Sequence, residues 1–430
     1  MKTTRRNLLK MAAGSAGALL AAPGFVRAQQ MFDKPPVGGA QAANAGGSER
    51  VVIIGGGWGG LSVARALKQL RPGTSVLVIE QNPLFMSCPM SNLFLGNVLH
   101  LEDLQFSYAS LGAHGIAFAQ ERVTGIDRGA SRVETTGGTF EYDLLVLSPG
   151  IDYIWDSVPG LWEGRFDIPI AFKPGAEHLH LKQTIEAFQG GTFVLTIPEA
   201  PIRCPPGPYE RIAMIAYNFK KRGLKAKLIA LDANAKPMSK GPGFLGAYDE
   251  LYKDIVEYLP NHKVESVDHE KKLIRHSFGE IRYDAANVIP AMQAATIVRT
   301  AGIGERWAEI NPADFSAKAD PRVFLVGDVI GGQPFPKSGF MANTIGKVVA
   351  KHVAARLDGK GGDPLVPSNV CYSMVDGDQG GRSIWVSHAF AWNATEKRYD
   401  SEQKVDLKAS HDNADSGYKW ARSVWSEMLG

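Results

Sequence analysis

The sequence has 430 residues, 44% of them apolar and 21% charged, with 47 glycines and three cysteines. This is an ordinary globular composition, long enough for two or three domains at roughly 150 residues each; it excludes a disordered, collagen-like or polytopic membrane chain. The formal charge of +3 belongs to the first residues, so it makes no case for a nucleic-acid partner.

Those residues read Met1-Lys-Thr-Thr-Arg5-Arg6-Asn-Leu-Leu-Lys10, then a small-residue apolar run, then Val26-Arg27-Ala28. A charged start, a weakly apolar middle and a small-residue exit predict a twin-arginine export signal over residues 1–28. This stretch holds five basic residues and no acid, so the mature chain carries a formal charge of −2. Such export carries proteins already folded, often around a cofactor. The expected location is therefore the bacterial periplasm. Residues 29–49 read as a loose leader. No run of about 18 apolar residues follows the signal, so no membrane span is expected.

Folded structure is expected from Arg50. Val51-Val52-Ile53-Ile54 suits a buried parallel strand. Gly55-Gly56-Gly57-Trp58-Gly59-Gly60 follows, then helical periodicity over Leu61–Leu70, then a strand Ser75–Glu80. Gly55-x-Gly57-x-x-Gly60 inside one βαβ unit predicts a dinucleotide site. Gly55 allows the tight turn, Gly57 the close approach to a pyrophosphate, and Gly60 the packing of helix on strand. Glu80 is placed to accept from a ribose 2′-OH and would repel a 2′-phosphate, which favours FAD or NAD over NADP.

Phe140–Leu147 reads as a strand ending in Ser148-Pro149-Gly150, and Pro321–Val326 as one ending in Gly327-Asp328. With the first fingerprint these resemble the large disulfide-reductase-like flavoproteins. That resemblance places Asp328 on the flavin ribityl chain and Gly150 in the flavin turn. The family also carries a second domain for NAD(P)H. Its expected place begins with a strand over Thr192–Pro198, but Glu199-Ala-Pro201-Ile-Arg203-Cys204-Pro205-Pro206-Gly207-Pro208 follows. Proline has no N–H to offer a phosphate. A helix over about Tyr209–Lys221 and a strand over Lys225–Asp232 complete a Rossmann-like unit in which a cysteine replaces the phosphate turn. Electrons are thus expected to arrive by a route other than NAD(P)H. The predicted fold class is α/β, with two Rossmann-like three-layer domains and a C-terminal α+β interface domain. The expected boundaries are 50–170 and 290–365 for the FAD domain, 171–289 for the degenerate NAD-like domain, and 366–430 for the last.

The cysteines are Cys88, Cys204 and Cys371, an odd number for an oxidising compartment. Cys88 has no partner a few residues on, so it forms no self-contained redox pair of its own. Cys204 and Cys371 can form a structural staple or a redox pair; the residues alone leave both open.

Cys88-x-Met90-Ser91-Asn92, Arg203-Cys204-Pro205-Pro206-Gly207-Pro208-Tyr209-Glu210, Pro336-Lys337-Ser338-Gly339 and Cys371-Tyr372-Ser373 resemble the flavoprotein subunit of flavocytochrome c sulfide dehydrogenase. The resemblance covers nearly the whole mature chain. It implies FAD held by an 8α-S-cysteinyl bond at Cys88, and a redox disulfide between Cys204 and Cys371 beside the flavin. It also implies sulfide as substrate and a c-type cytochrome subunit as partner in a heterodimer. Glu210 reads either as a proton carrier or as a helix-start acid. Lys337 is expected to place positive charge near the flavin, and Trp420 is the aromatic residue expected to touch it. His178 and His180 are expected on a helix surface, with no metal. The rival functions are a sulfide:quinone oxidoreductase and a non-catalytic accessory flavoprotein of sulfur oxidation.

Overall fold

The computed structural model describes residues 49–430. The export signal and almost all of the leader lie outside the described residues.

The chain enters at β1 (Arg50–Ile54), turns through the glycines into α1 (Trp58–Leu70), and returns as β2 (Ser75–Glu80). β3 (Ile116–Gln120) and β4 (Leu144–Leu147) follow. α2 (Ala176–Ala187) leads into a second unit: β5 (Gly191–Ile197), α3 (Gly207–Lys221), β6 (Ala226–Asp232), α4 (Gly241–Tyr252), β7 (Val256–Leu259) and β8 (Ala285–Val288). Two strands, β9 (Ser316–Ala317) and β10 (Asp320–Leu325), then rejoin the first sheet, and α5 (Gly339–Leu357) follows.

The first sheet has the order β9-β10-β4-β1-β2-β3, all parallel except for the β9 edge. Its central strands are apolar along their whole length, as a sheet covered on both faces requires: Val51–Ile54 and Leu144–Leu147 are all buried. The second sheet, β7-β6-β5-β8, is fully parallel. Two Rossmann-type sheets in an α/β fold are what the sequence predicts. α3 begins at Gly207, two residues before the expected start, with Pro208 in its first turn. Proline is accepted there because that N–H has no intrahelical partner to lose.

The C-terminal part is more regular than its sequence suggests. A strand was legible only over Ser383–Ser387. The structure forms an antiparallel sheet of β11 (Ser368–Asp376), β12 (Arg382–Asn393) and β13 (Arg398–Ser410). The aromatic tail is one helix, α6 (His411–Leu429), capped by the Ser410 hydroxyl accepting from Asn413 N–H. Its apolar side turns inward. Trp425 Nε1 donates to Ser87 Oγ at 3.0 Å, and the Trp425 ring meets Phe106 at 5.2 Å. The last helix is thereby fastened to the loop that carries Cys88. No described helix is long and apolar enough to cross a membrane.

Candidate active site

A cleft of about 1030 Å³ runs along the C-terminal ends of β1, β2 and β4. Gly55, Gly57, Glu80, Gly150 and Asp328 all line it. Gly60 lies just behind: a Cβ there would stand 1.9 Å from the Gly55 carbonyl oxygen, so only glycine lets α1 begin this close to β1. Gly55 has φ +101°, and a Cβ on it would meet the Ser148 carbonyl oxygen at 2.2 Å. At Gly57 a Cβ would meet nothing within 4 Å, which leaves the backbone open to the cleft. Glu80 is oriented by two backbone donors, Gly56 N–H to Oε2 at 2.8 Å and Asn82 N–H to Oε1 at 2.9 Å.

Asp328 carries a sharper signal. Its Oδ2 pairs with Arg203 Nε at 3.2 Å, while its Oδ1 is buried with no hydrogen-bond partner. A buried lone acceptor is costly, and a hydroxylated ligand chain would satisfy it. The glycine cradle, the fixed Glu80 carboxylate and this acceptor fit an FAD.

Beside the cleft lies a second, small cavity of about 40 Å³. Cys88, Cys204 and Cys371 all line it, with Glu210, Tyr372 and Trp420. Gly339 lines both spaces. Three cysteines separated by up to 283 positions in the chain thus border one cavity, and their sulfurs stand as free thiols. Cys204 lies at the mouth of α3, its Sγ against the first helical residue: a Cβ on Gly207 would sit 2.9 Å from it. That position exposes Cys204 to the positive end of the helix dipole. Around the cavity four non-glycine residues hold left-handed backbone: Met90 (φ 71°), Ala171 (φ 58°) and Cys204 (φ 54°) in its lining, and Lys240 (φ 55°) against Cys371. Such strain persists where surrounding structure enforces it. Here the Cys204 N–H is clamped on the Lys337 carbonyl at 2.6 Å.

The thiols differ in acidity. Cys88 is brought down to about 6, chiefly because it accepts a hydrogen bond from Cys204, with help from the Arg203 charge. Cys204 is pushed well up by donating that bond and by burial. Burial also raises Cys371, opposed by the nearby Lys240 ammonium. Burial pulls the Arg203 guanidinium down, but Cys88, Asp328 and Cys204 together hold it above its ordinary value.

Glu210 is the helix-start acid that one of its two readings describes. It stands in the first turn of α3 and is buried in the cavity wall. Asn92 Nδ2 donates to Oε2 at 2.7 Å and Met374 N–H to Oε1 at 2.8 Å. Burial raises its pKa against those two donors. Asn92 also accepts from Arg211 Nε at 3.2 Å, which ties the Cys88 loop to α3.

Trp420 lines the cysteine cavity and stacks on Trp58 at 5.9 Å, the residue that follows the glycine turn. It thus stands where the two spaces meet. Lys337 is placed differently from the expectation. Its buried ammonium donates to the Asp328 and Ile330 carbonyls at 2.8 and 2.6 Å and caps the Trp307 ring at 3.6 Å. It holds the Asp328 turn instead of lining either space, and burial pushes it down to about 8. The histidine expectation is corrected as well. His178 and His180 are 2% and 8% exposed, because α2 is covered all round over the stretch from His178 to Lys182. Arg203, Arg211, Asn92 and Lys240 were given no role by the sequence. Only Asn92 and Arg203, which stand in the quoted cysteine motifs, offered a signal there.

Burial lowers His178 to about 3. The folded protein keeps this ring neutral, while the unfolded chain protonates it below its ordinary value of 6.5. The unfolded state then binds more protons, so stability falls as pH falls from about 6.5 toward 3. The loss from this residue is about 2 kcal/mol at pH 5. His178 Nδ1 faces the Lys173 carbonyl at 3.0 Å, a contact that an asparagine amide can reproduce. His178→Asn should show a smaller drop in melting temperature between pH 7.5 and pH 5 than the parent protein. Parallel melting curves at the two pH values check this.

A family model described as the central part of the sulfide dehydrogenase [flavocytochrome c] flavoprotein chain matches residues 178–290. One for pyridine nucleotide-disulphide oxidoreductases matches residues 49–186. A sulfide dehydrogenase [flavocytochrome c] flavoprotein chain of Chlorobaculum thiosulfatiphilum is 48% identical over 46 residues, 11% of this chain and 96% of that relative. The chain belongs to the sulfide-oxidising, disulfide-reductase-like flavoproteins. As a flavoprotein of this family it is also 25% identical to the sulfide-quinone reductase of Aquifex aeolicus, over 71% of this chain and 76% of that one. The fold agrees with the X-ray structure of the sulfide:quinone oxidoreductase from the same bacterium, with a TM-score of 0.68 at 19% identity, covering 88% and 92% of the two chains. Putidaredoxin reductase in its putidaredoxin complex gives a TM-score of 0.62 at 16% identity, covering 81% and 82%.

Proposed function

We propose that this flavoprotein oxidises sulfide with its Cys204–Cys371 pair and hands the electrons to a c-type cytochrome subunit in the periplasm. One observation carries this reading. The segment that should cradle a nicotinamide phosphate instead delivers Cys204 into a cavity shared with Cys88 and Cys371, against the wall of the FAD cleft.

In the oxidised protein the pair forms a disulfide. HS⁻ bonds to one sulfur, the S–S bond breaks, and the other cysteine leaves as a thiolate with the electron pair. The positive end of α3 and the Arg203 charge favour a thiolate at Cys204, against the burial and the Cys88 contact that push its thiol up. Glu210, whose carboxyl burial pushes up, is the cavity-wall group we assign to take up or return a proton once the S–S bond has broken. Bound FAD supplies a two-electron acceptor that can be reoxidised one electron at a time. Glu80 and Asp328 would hold the ligand's ribose and ribityl hydroxyls. Cys88, the most acidic of the three thiols, is the residue we assign to a covalent flavin tether. A denatured chain that keeps the mass of one FAD supports that tether, and release of all flavin opposes it.

The quinone reading has its own support, because the relatives matched over most of the chain are quinone reductases. Against it, α6 buries Trp425 and packs Trp420 on Trp58, so its aromatic side is committed inward. Rapid mixing of the sulfide-reduced protein with a c-type cytochrome, and separately with a short-chain quinone, decides the acceptor. Cytochrome reduction with little quinone reduction is expected; the reverse overturns the proposed acceptor.

A further inference from the structure

Lys240 lies at the start of α4, 36 positions beyond Cys204 and in no motif of the sequence. It is only 4% exposed. Its ammonium donates to the Ser373 hydroxyl at 2.7 Å and the Cys371 carbonyl at 3.0 Å, and stands 3.9 Å from Cys371 Sγ. These partners are neutral. Among the described residues no carboxylate pairs with Lys240 at ion-pair distance. The acid within its electrostatic reach, Glu210, is already held by Asn92 and Met374. A buried cation with neutral partners is costly, and its backbone is left-handed as well. The group at hand that can become an anion is the Cys371 sulfur, which borders a cavity of about 40 Å³.

We propose that Lys240 is the anion-holding residue of this site. Its ammonium attracts a small sulfur anion to Cys371 and stabilises negative charge there. The inference rests on the sulfide reading and adds where the anion binds. In the reaction HS⁻ bonds to Cys371 Sγ, the Cys204–Cys371 bond breaks, and the electron pair leaves on Cys204 Sγ. The proton stays on the outer sulfur, so atoms and charge balance. Two positive fields then divide the work: Lys240 serves the arriving anion, and the α3 N-terminus with Arg203 serves the departing thiolate.

The test needs no turnover. The reduced holoprotein is alkylated with iodoacetate, an anion, and with iodoacetamide, its neutral counterpart, and the modification of Cys371 is followed by peptide mass. The ratio of the two rates reports the local field. Lys240→Met should lower that ratio at Cys371 by about tenfold, the scale of one charge about 4 Å away in a partly shielded site. Lys240→Arg should keep most of the ratio and shows that the fold tolerates a change at this position. The ratio at Cys204 should stay within about twofold in both variants. An unchanged ratio at Cys371 in Lys240→Met overturns the proposal, as does an equal fall at Cys204. The sulfide reading is judged separately, by whether sulfide reduces the parent protein. If the ratio behaves as expected but sulfide is inert, the anion site stands and the substrate is wrong.

Discussion

Replacing Cys204 with serine should slow sulfide-driven flavin reduction by roughly a thousandfold or more, the scale seen when a nucleophile is removed from a unit that works together. The flavin should remain bound. Cys204 contributes no group to the glycine cradle or to Glu80, and a serine hydroxyl fits where the thiol stands. Serine cannot form a disulfide, so HS⁻ has no S–S bond to cleave. Cys371→Ser should cost about as much, and the double variant little more, because the pair acts as one device. Stopped-flow absorbance of the flavin checks all three. Near-parental rates in either single variant would remove the disulfide from the account.

The second large effect is expected at Asp328. Its carboxylate neutralises Arg203, and the pair is nearly out of solvent. Asp328→Ala leaves the guanidinium buried without its partner, a change that costs about 3–5 kcal/mol when one member of a buried pair is removed. It also removes the acceptor that faces the cleft. A lower melting temperature and a loss of flavin per chain should therefore appear together. Asp328→Asn keeps the shape and should fall between the two in melting temperature. A variant that melts like the parent and keeps its flavin would show that neither the ion pair nor the ribityl contact is placed correctly.

The two expectations differ in how the sequence revealed them. Asp328 was legible because a Gly-Asp turn after an apolar strand is a local pattern, and the glycine fingerprint at Gly55–Gly60 is local in the same way. Both Rossmann-type sheets were legible for the related reason that a strand buried on both faces is a continuous apolar run, as at Val51–Ile54 and Phe193–Ile197. The meeting of the three cysteines has no local signature. It depends on α3, β11 and the Cys88 loop converging, and it entered the sequence reading through resemblance. Lys240 was invisible because its neighbours in the chain say nothing of Cys371, 131 positions away.

Two side chains have surroundings that their neighbours in the chain do not announce. Lys337 read as a cation for the flavin because it follows a proline in a shaped turn. Its ammonium in fact closes on two main-chain carbonyls and an indole face. His178 and His180 read as surface residues because no acid or cysteine stands beside them in sequence. Long-range packing, not composition, buries α2 all round over this stretch. At the C-terminus the polar residues of β13 hid a strand that sits at the exposed edge of its sheet, where one face needs no apolar residues.

In the proposed function a cysteine pair fed by sulfide takes the place of nicotinamide as the entry point for electrons. This is tested most directly by anaerobic titration of the purified, oxidised protein with sulfide and, separately, with NADH and NADPH, following the flavin absorbance. The account predicts that about one equivalent of sulfide bleaches the flavin and that neither nucleotide does so. Bleaching by a reduced nicotinamide nucleotide, with sulfide without effect, would contradict it.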